Sequence, residues 1–150
     1  MLPCTRYWRQ KQGKFIAVRS KLSPMERLEA VVEILIKRIY DSPSESDGIR
    51  ILVDRLWPRG LSKDRARIDF WAREIAPSNE LRKWYGHEPS RWPEFKVRYF
   101  AELDSLLDAV HELLGHATSE RMTLLYSSKE REINNAVALR EYLQKQIGQA

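Results

Sequence analysis

A chain of 150 residues, 43% hydrophobic and 31% charged with a net charge of +5, is sized for one domain that buries roughly 68–70% of its unfolded surface. No apolar run approaches the ~18 residues that a membrane-spanning helix needs, which argues against a membrane partner. The single cysteine, Cys4, excludes an intramolecular disulfide and a cysteine-based metal cluster, and such sparse usage suits the reducing cytoplasm.

The charge is unevenly placed. Residues 1–24 hold six of the 26 basic side chains and no acid, which leaves 20 bases against all 21 acids in the rest. The basic character therefore belongs to the tail, and residues 1–24 read as a flexible extension ahead of one α/β domain over 25–150. Met25 offers an alternative start that would leave a near-neutral protein. Binding of nucleic acid, or of another protein by charge, is expected only through this tail.

Ser23-Pro24-Met25-Glu26 has the serine, proline and glutamate of a capped helix start, predicting a short helix to about Val32. "EILIKRIYD" alternates with period two and predicts a first strand; "DSPSESDG" is loop chemistry throughout. "IRILVDR" predicts a second strand whose continuous apolar centre suits burial on both faces. After a charged connection, Asp69 is placed to cap a short helix, "FWAREIA", ending before Pro77. Ser78 predicts the start of a helix over "NELRKWY", and Gly86 its end. The spacing of Phe95, Tyr99, Leu103, Leu106, Val110 and Leu113 predicts one long helix, or two broken near Ser105. "MTLLYS" reads as a strand and "INNAVALREYLQKQI" as a closing amphipathic helix. Helices between strands point to an α/β sandwich around a small, mostly parallel sheet.

"ILVDRLWPRG" is the first place where chemistry gathers. Pro58 and Gly60 stiffen a turn at the carboxyl end of the second strand, with Arg55 and Arg59 on either side of Trp57. Guanidinium groups grip phosphate or carboxylate through paired donors, and ligands of open α/β sheets collect at strand carboxyl ends. A ligand reading makes Arg55, Trp57 and Arg59 contacts and Asp54 an orienting or basic group. A scaffolding reading pairs Asp54 with an arginine and uses Trp57 as a core plug.

The second candidate is "LLYSSKEREINNA". Here a strand gives way to a helix within a few residues, so Ser127, Ser128 and Lys129 would sit beside free helix-start amides. Asn134 and Asn135, on the first helical turns, could add donors. The spacing is not that of a P-loop, and Ser127 with Glu130 also fits an ordinary capping box. His111 and His116 read as surface or capping residues. His87, in an aromatic loop with Tyr85 and Trp92, is the better acid–base candidate. No histidine pair has metal-ligand spacing, so no metal is expected, and no cofactor motif is present. Most aromatic residues read as core.

Together "KRIYD", "DGIRILVDRLWPRG", "EIAPSNELRKWYGH" and "LLYSSK...NNAVAL" resemble the YeaO-like branch of domain-of-unknown-function family 488, from about Ile34 to Leu143. The resemblance implies a small bacterial α/β protein with no established activity. Some relatives carry a uroporphyrin-III methyltransferase label, which lacks support here because no glycine-rich methyl-donor loop follows the first strand. The positions that match the family pattern include Asp47, Gly48, Arg50, Asp54, Arg55, Trp57, Pro58, Arg59 and Gly60. Later matches include Pro77, Ser78, Arg82, Tyr126, Ser127, Lys129 and Asn134. Two departures stand out: some relatives have histidine at the Asn135 position, and a cysteine–histidine segment near the last strand is missing.

The leading functional expectation is an enzyme acting on a small phosphorylated or nucleotide-like substrate. Arg55, Arg59 and Lys129 would hold the anion, and Asp54, Tyr126 and Ser127 would carry the chemistry. The first alternative is a non-catalytic module that binds an anionic metabolite through the same residues; the second is a nucleic-acid or protein partner-binding protein that uses the basic tail.

Overall fold

The computed structural model describes residues 32–116 and 121–149; the basic tail and the Ser23-capped helix, all but its last residue, lie outside them. The strands are β1 (Glu33–Arg38), β2 (Ile49–Leu52), β3 (Phe70–Trp71) and β4 (Arg121–Tyr126). Among the described residues they form one all-parallel sheet in the order β1-β4-β2-β3. The helices are α1 (Lys63–Ala66), α2 (Asn79–Tyr85), α3 (Trp92–Asp104), α4 (Leu107–Gly115) and α5 (Asn135–Gln149). The chain is thus an α/β protein with a small parallel sheet. None of its described helices is long and apolar enough to cross a membrane.

Period-two alternation explains how a continuous apolar strand serves two faces. Ile49, Ile51 and Val53, with Met122, Leu124 and Tyr126, join the larger core against Leu81, Phe95, Tyr99, Leu103 and Leu139 of the helices. Leu52 and Leu125 face the other way and pack with Ile39, Ala66, Trp57 and Trp71. The amino-terminal half of that second face is polar. Asp47 is 4% exposed and Arg50 is 5% exposed. Asp47 accepts from Lys37 Nζ at 3.1 Å and from Arg50 at 2.5 Å, and from the Ser44 amide at 3.0 Å. The remaining Arg50 donors reach the carbonyls of Arg67 at 3.1 Å and Ala66 at 2.9 Å. Next to this cluster, Gly48 has φ +66, and an added Cβ would lie 2.4 Å from the Arg121 carbonyl oxygen, so only glycine fits.

Two expectations need correction. The second strand, expected through Arg55, stops at Leu52, so Asp54 and Arg55 lie beyond the sheet edge. "FWAREIA" is not a helix: Phe70–Trp71 pair with Ile51 and Leu52 as an edge strand, and only Arg73–Ile75 forms a 3-10 turn. Asp69 does not cap it either, since its carboxylate accepts from the Arg50 amide at 2.9 Å. Tertiary pairing with β2 overrides the local helical pattern of a segment too short to sustain a helix alone.

The helix ends behave as expected. The Ser78 hydroxyl accepts from the Leu81 amide and Gly86 closes α2 with φ 53. The long apolar stripe is two helices, parted at Ser105–Leu106. The segment before α2 is fastened from three sides. Arg55 donates to the carbonyls of Ala76 at 2.9 Å and Pro77 at 3.1 Å. Glu102 of α3 accepts from the Ser78 amide at 2.9 Å and hydroxyl at 2.6 Å. Tyr99, wholly buried, donates to the Ile75 carbonyl at 2.6 Å. Tyr99→Phe is expected to cost about 1 kcal/mol, read as a lower urea midpoint at unchanged slope.

Candidate functional site

The carboxyl ends of the strands open onto a cleft of about 1270 Å³. Its floor is organised by Asp54. One oxygen of that carboxylate accepts from the Ser127 amide at 2.8 Å and the Ser127 hydroxyl at 2.6 Å. The other accepts from Asn135 Nδ2 at 3.1 Å, and the same amide group donates to the Val53 carbonyl at 2.9 Å. One acid after β2 therefore ties down the loop after β4 and the start of α5.

Of the eleven residues singled out from the sequence, nine line this cleft: Asp54, Arg55, Trp57, Arg59, His87, Ser127, Ser128, Lys129 and Asn135. The other two do not. Tyr126 is 2% exposed, and burial pushes its hydroxyl pKa up, with Arg131 and Asp41 as its charged neighbours. Asn134 is fully buried and caps α5: its oxygen accepts from the Val137 amide at 3.1 Å and its Nδ2 donates to the Glu130 carbonyl at 2.8 Å. The reading of Ser127–Lys129 as neighbours of helix-start amides is also corrected. α5 begins only at Asn135, and Ser128 Oγ accepts locally from the Glu130 amide at 3.0 Å.

The side chains of "ILVDRLWPRG" divide between packing contacts and the cleft. Asp54 bonds Ser127 and Asn135 rather than an arginine. Trp57 packs in the smaller core, edge-on to Trp71 at 5.5 Å, and donates to the Leu61 carbonyl at 2.6 Å. Arg55 has its donors on backbone carbonyls. Arg59, in contrast, is exposed beside Gly60, whose φ is +72. Its carbonyl accepts from the Tyr40 hydroxyl at 2.8 Å, so the turn is braced from the end of β1 while the Arg59 guanidinium has no ion pair among the described residues.

Sequence reading missed Arg38, Tyr40, Asn79, Arg82 and Lys83 as cleft residues. Their signal was present in part, because Arg38 and Tyr40 lie in "KRIYD" and Arg82 matches the family pattern. Their convergence with residues 54–59 depends on β4 entering between β1 and β2. Arg38 also shapes the loop after β4, donating to the carbonyls of Ser127 at 3.3 Å and Ser128 at 3.0 Å.

The electrostatics are one-sided. Arg38, Arg55, Arg59, Arg82, Lys83 and Lys129 line the cleft against only Asp54 and Glu130. Among the described residues, all ion pairs lie elsewhere, and none uses a cleft cation. Tyr85, at the cleft wall, donates to the Ile133 carbonyl at 2.7 Å. Burial, with Glu130 nearby, pushes its pKa up to about 12, so it remains a fixed donor at neutral pH. His87 is exposed with φ 56, and its ring lies 5.4 Å from that of Tyr85. No group of three or more acidic, histidine or cysteine residues is placed to hold a metal among the described residues.

Comparison with known proteins follows the same outline. The protein YeaO of Escherichia coli K12, described as uncharacterised, is 43% identical over 112 residues, covering 75% of this chain and 97% of that protein. Uncharacterised proteins of Mycobacterium bovis and Mycobacterium tuberculosis are 40% identical over 92 residues, covering 60% of this chain and 78% of theirs. No solved structure matches the chain. A family model described as the inactive DUF488-N3 subclade matches residues 33–150; the chain belongs to that family, DUF488, in its YeaO-like branch.

Proposed function

We propose that the chain binds an anionic ligand in the cleft at the strand carboxyl ends and does not turn it over. The observation that carries this reading is the set of six cations lining the cleft with no carboxylate partner among the described residues. Six cations facing one opening against two acids raise the local concentration of anions there. Arg59 and Lys129 are exposed and have side-chain donors to offer, whereas Arg55 contributes charge from a fixed position.

The absence of turnover is supported by the engagement of the reactive groups. Asp54 accepts three hydrogen bonds that hold the loop after β4. Tyr126 and Asn134, expected to take part, serve the core and a helix cap. Membership of a subclade described as inactive points the same way. The enzyme reading retains one favourable contact, the Ser127 hydroxyl 2.6 Å from Asp54.

A thermal-shift screen of inorganic phosphate, nucleotides, sugar phosphates and dicarboxylates tests the proposal. A ligand at ~100 times its Kd adds about 2.7 kcal/mol, which should raise the midpoint by roughly 5–10 °C. Arg59→Ala is expected to weaken binding about tenfold, from the loss of a charge-assisted contact. No stabilising anion, or an Arg59→Ala response equal to wild type, would defeat the reading. Turnover of a bound phosphoester that disappears in Ser127→Ala would instead favour the enzyme.

A further inference from the structure

We infer that the ligand is single-stranded nucleic acid, laid along the carboxyl edge of the sheet with a base stacked on Tyr40; this rests on the anion-binding reading above. The inference starts from how the positive charge is distributed. Following the sheet order, the cleft receives Arg38 from the end of β1, Lys129 from the loop after β4 and Arg59 from the loop after β2. Arg82 and Lys83 then come from α2, which follows β3. Adjacent strands are ~4.8 Å apart, so four strands spread these charges over roughly 14 Å. One phosphate or carboxylate satisfies the cations at a single place in such a row. A ligand that repeats its charge along a flexible backbone satisfies the whole row, as in other single-strand binding grooves. The cleft volume, about 1270 Å³, exceeds the ~300–1,000 Å³ usual for small-molecule sites.

The apolar part of the lining points to bases rather than to a bare polyanion. Tyr40 is 41% exposed, the most exposed tyrosine, phenylalanine or tryptophan among the described residues. It is nonetheless held in place: its hydroxyl donates to the Arg59 carbonyl at 2.8 Å, and the Arg38 guanidinium lies 4.8 Å from the ring centroid. An exposed aromatic residue normally loses rotamer freedom when it stacks, and one already fixed at both ends loses less. The brace also couples the base platform to the turn that presents Arg59. This assigns nucleic-acid binding to the cleft, independently of the basic residues 1–24 to which charge alone would assign it.

The test uses the full chain and fluorescence anisotropy of a fluorescein-labelled octathymidylate, competed with inorganic polyphosphate of equal charge and with a duplex of the same length. The single strand is expected to bind at least tenfold more tightly than either competitor, and to weaken steeply between 50 and 200 mM salt, as phosphate contacts require. Tyr40→Ala should weaken the single strand about tenfold more than it weakens polyphosphate, while Tyr40→Phe, which loses the same brace on Arg59 but keeps the ring, should retain most of the single-strand binding. Arg59→Ala combined with Arg82→Ala should weaken both ligands. Polyphosphate binding as tight as the single strand overturns this inference but leaves the anion-binding reading standing. Single-strand binding that survives the paired arginine substitutions also overturns it, by moving the contact to residues 1–24. If none of the anions binds, both readings fall together.

Discussion

Asp47→Ala is expected to lower stability by ~3–5 kcal/mol, the usual cost of removing one partner from a buried ion pair. The loss arises mainly from what remains behind. Arg50, 5% exposed, would keep its contacts to the Arg67 and Ala66 carbonyls but lose its counter-charge. Lys37 and the Ser44 amide would lose the same acceptor, which leaves the turn that places Gly48 against β4 with only the Ser44 half of its capping box. Urea unfolding should show a midpoint lower by at least 1 M, given slopes of ~1–3 kcal/mol/M. A loss below 1 kcal/mol would mean that the cluster relaxes or admits water.

The same carboxylate sets a pH dependence whose sign follows from its surroundings. Burial alone would raise the Asp47 pKa, but the Ser44 amide, Lys37 and Arg50 together outweigh it and hold it below the ordinary 3.8. The unfolded chain therefore binds the proton more tightly than the folded one. The stabilisation is fully present above the unfolded value, near pH 4, and is lost as pH falls through the lower folded value. Asp47→Asn should flatten stability against pH in that acid window and leave the slope at neutral pH unchanged. An undiminished acid slope in this variant would assign the effect to other carboxylates, of which Asp41, held below 3.8 mainly by its hydrogen bond from Arg131, is the next to consider.

Asp54→Ala should have the second-largest effect, roughly 2–3 kcal/mol. A buried donor without an acceptor costs about 1–3 kcal/mol. Here the Ser127 amide, the Ser127 hydroxyl and Asn135 lose one together. The half-buried position lets cleft water replace part of the loss, which keeps the figure below a simple sum. The functional effect should be larger than the stability effect. Freed of its anchor, the loop carrying Lys129 would no longer hold its place opposite Arg59, so anion binding should fall even though a negative charge has left the cleft. Denaturant midpoints and anion titrations on one preparation separate the two. Stability within 0.5 kcal/mol of wild type would show that Asp54 is not the anchor, and tighter binding would show that it acts only as a repelling charge.

Local chemistry accounts for the elements that the sequence makes legible. Ser78 and Gly86 bound α2 because a cap oxygen and a left-handed residue act within one turn of chain. The apolar stripe runs on through the break at Ser105, with Leu103 and Val110 buried on either side of it, which is why its spacing left one helix or two open. β2 is recognisable as doubly buried because both faces demand apolar side chains. Phe70–Trp71 mislead because two residues carry no usable period, and only the neighbouring strand makes them extended. Tyr126 and Asn134 mislead for a related reason. Their positions beside a strand end and a helix start were right, but side-chain direction decides whether such a residue faces the cleft, the core or its own backbone.

The sequence by itself determined the parallel α/β class, the family and the turn at "ILVDRLWPRG", since periodicity, capping and turn residues act over a few positions. Only the tertiary structure decided that Asp54 secures Ser127 and Asn135, that Arg55 is committed to the Ala76–Pro77 carbonyls, and that Tyr40 braces Arg59. Those contacts join residues 19 to 81 positions apart. The Asp54 and Tyr40 contacts exist because β4, late in the chain, enters the sheet between β1 and β2 and brings their carboxyl ends to one edge, and the Arg55 contacts because β3 pairs with β2.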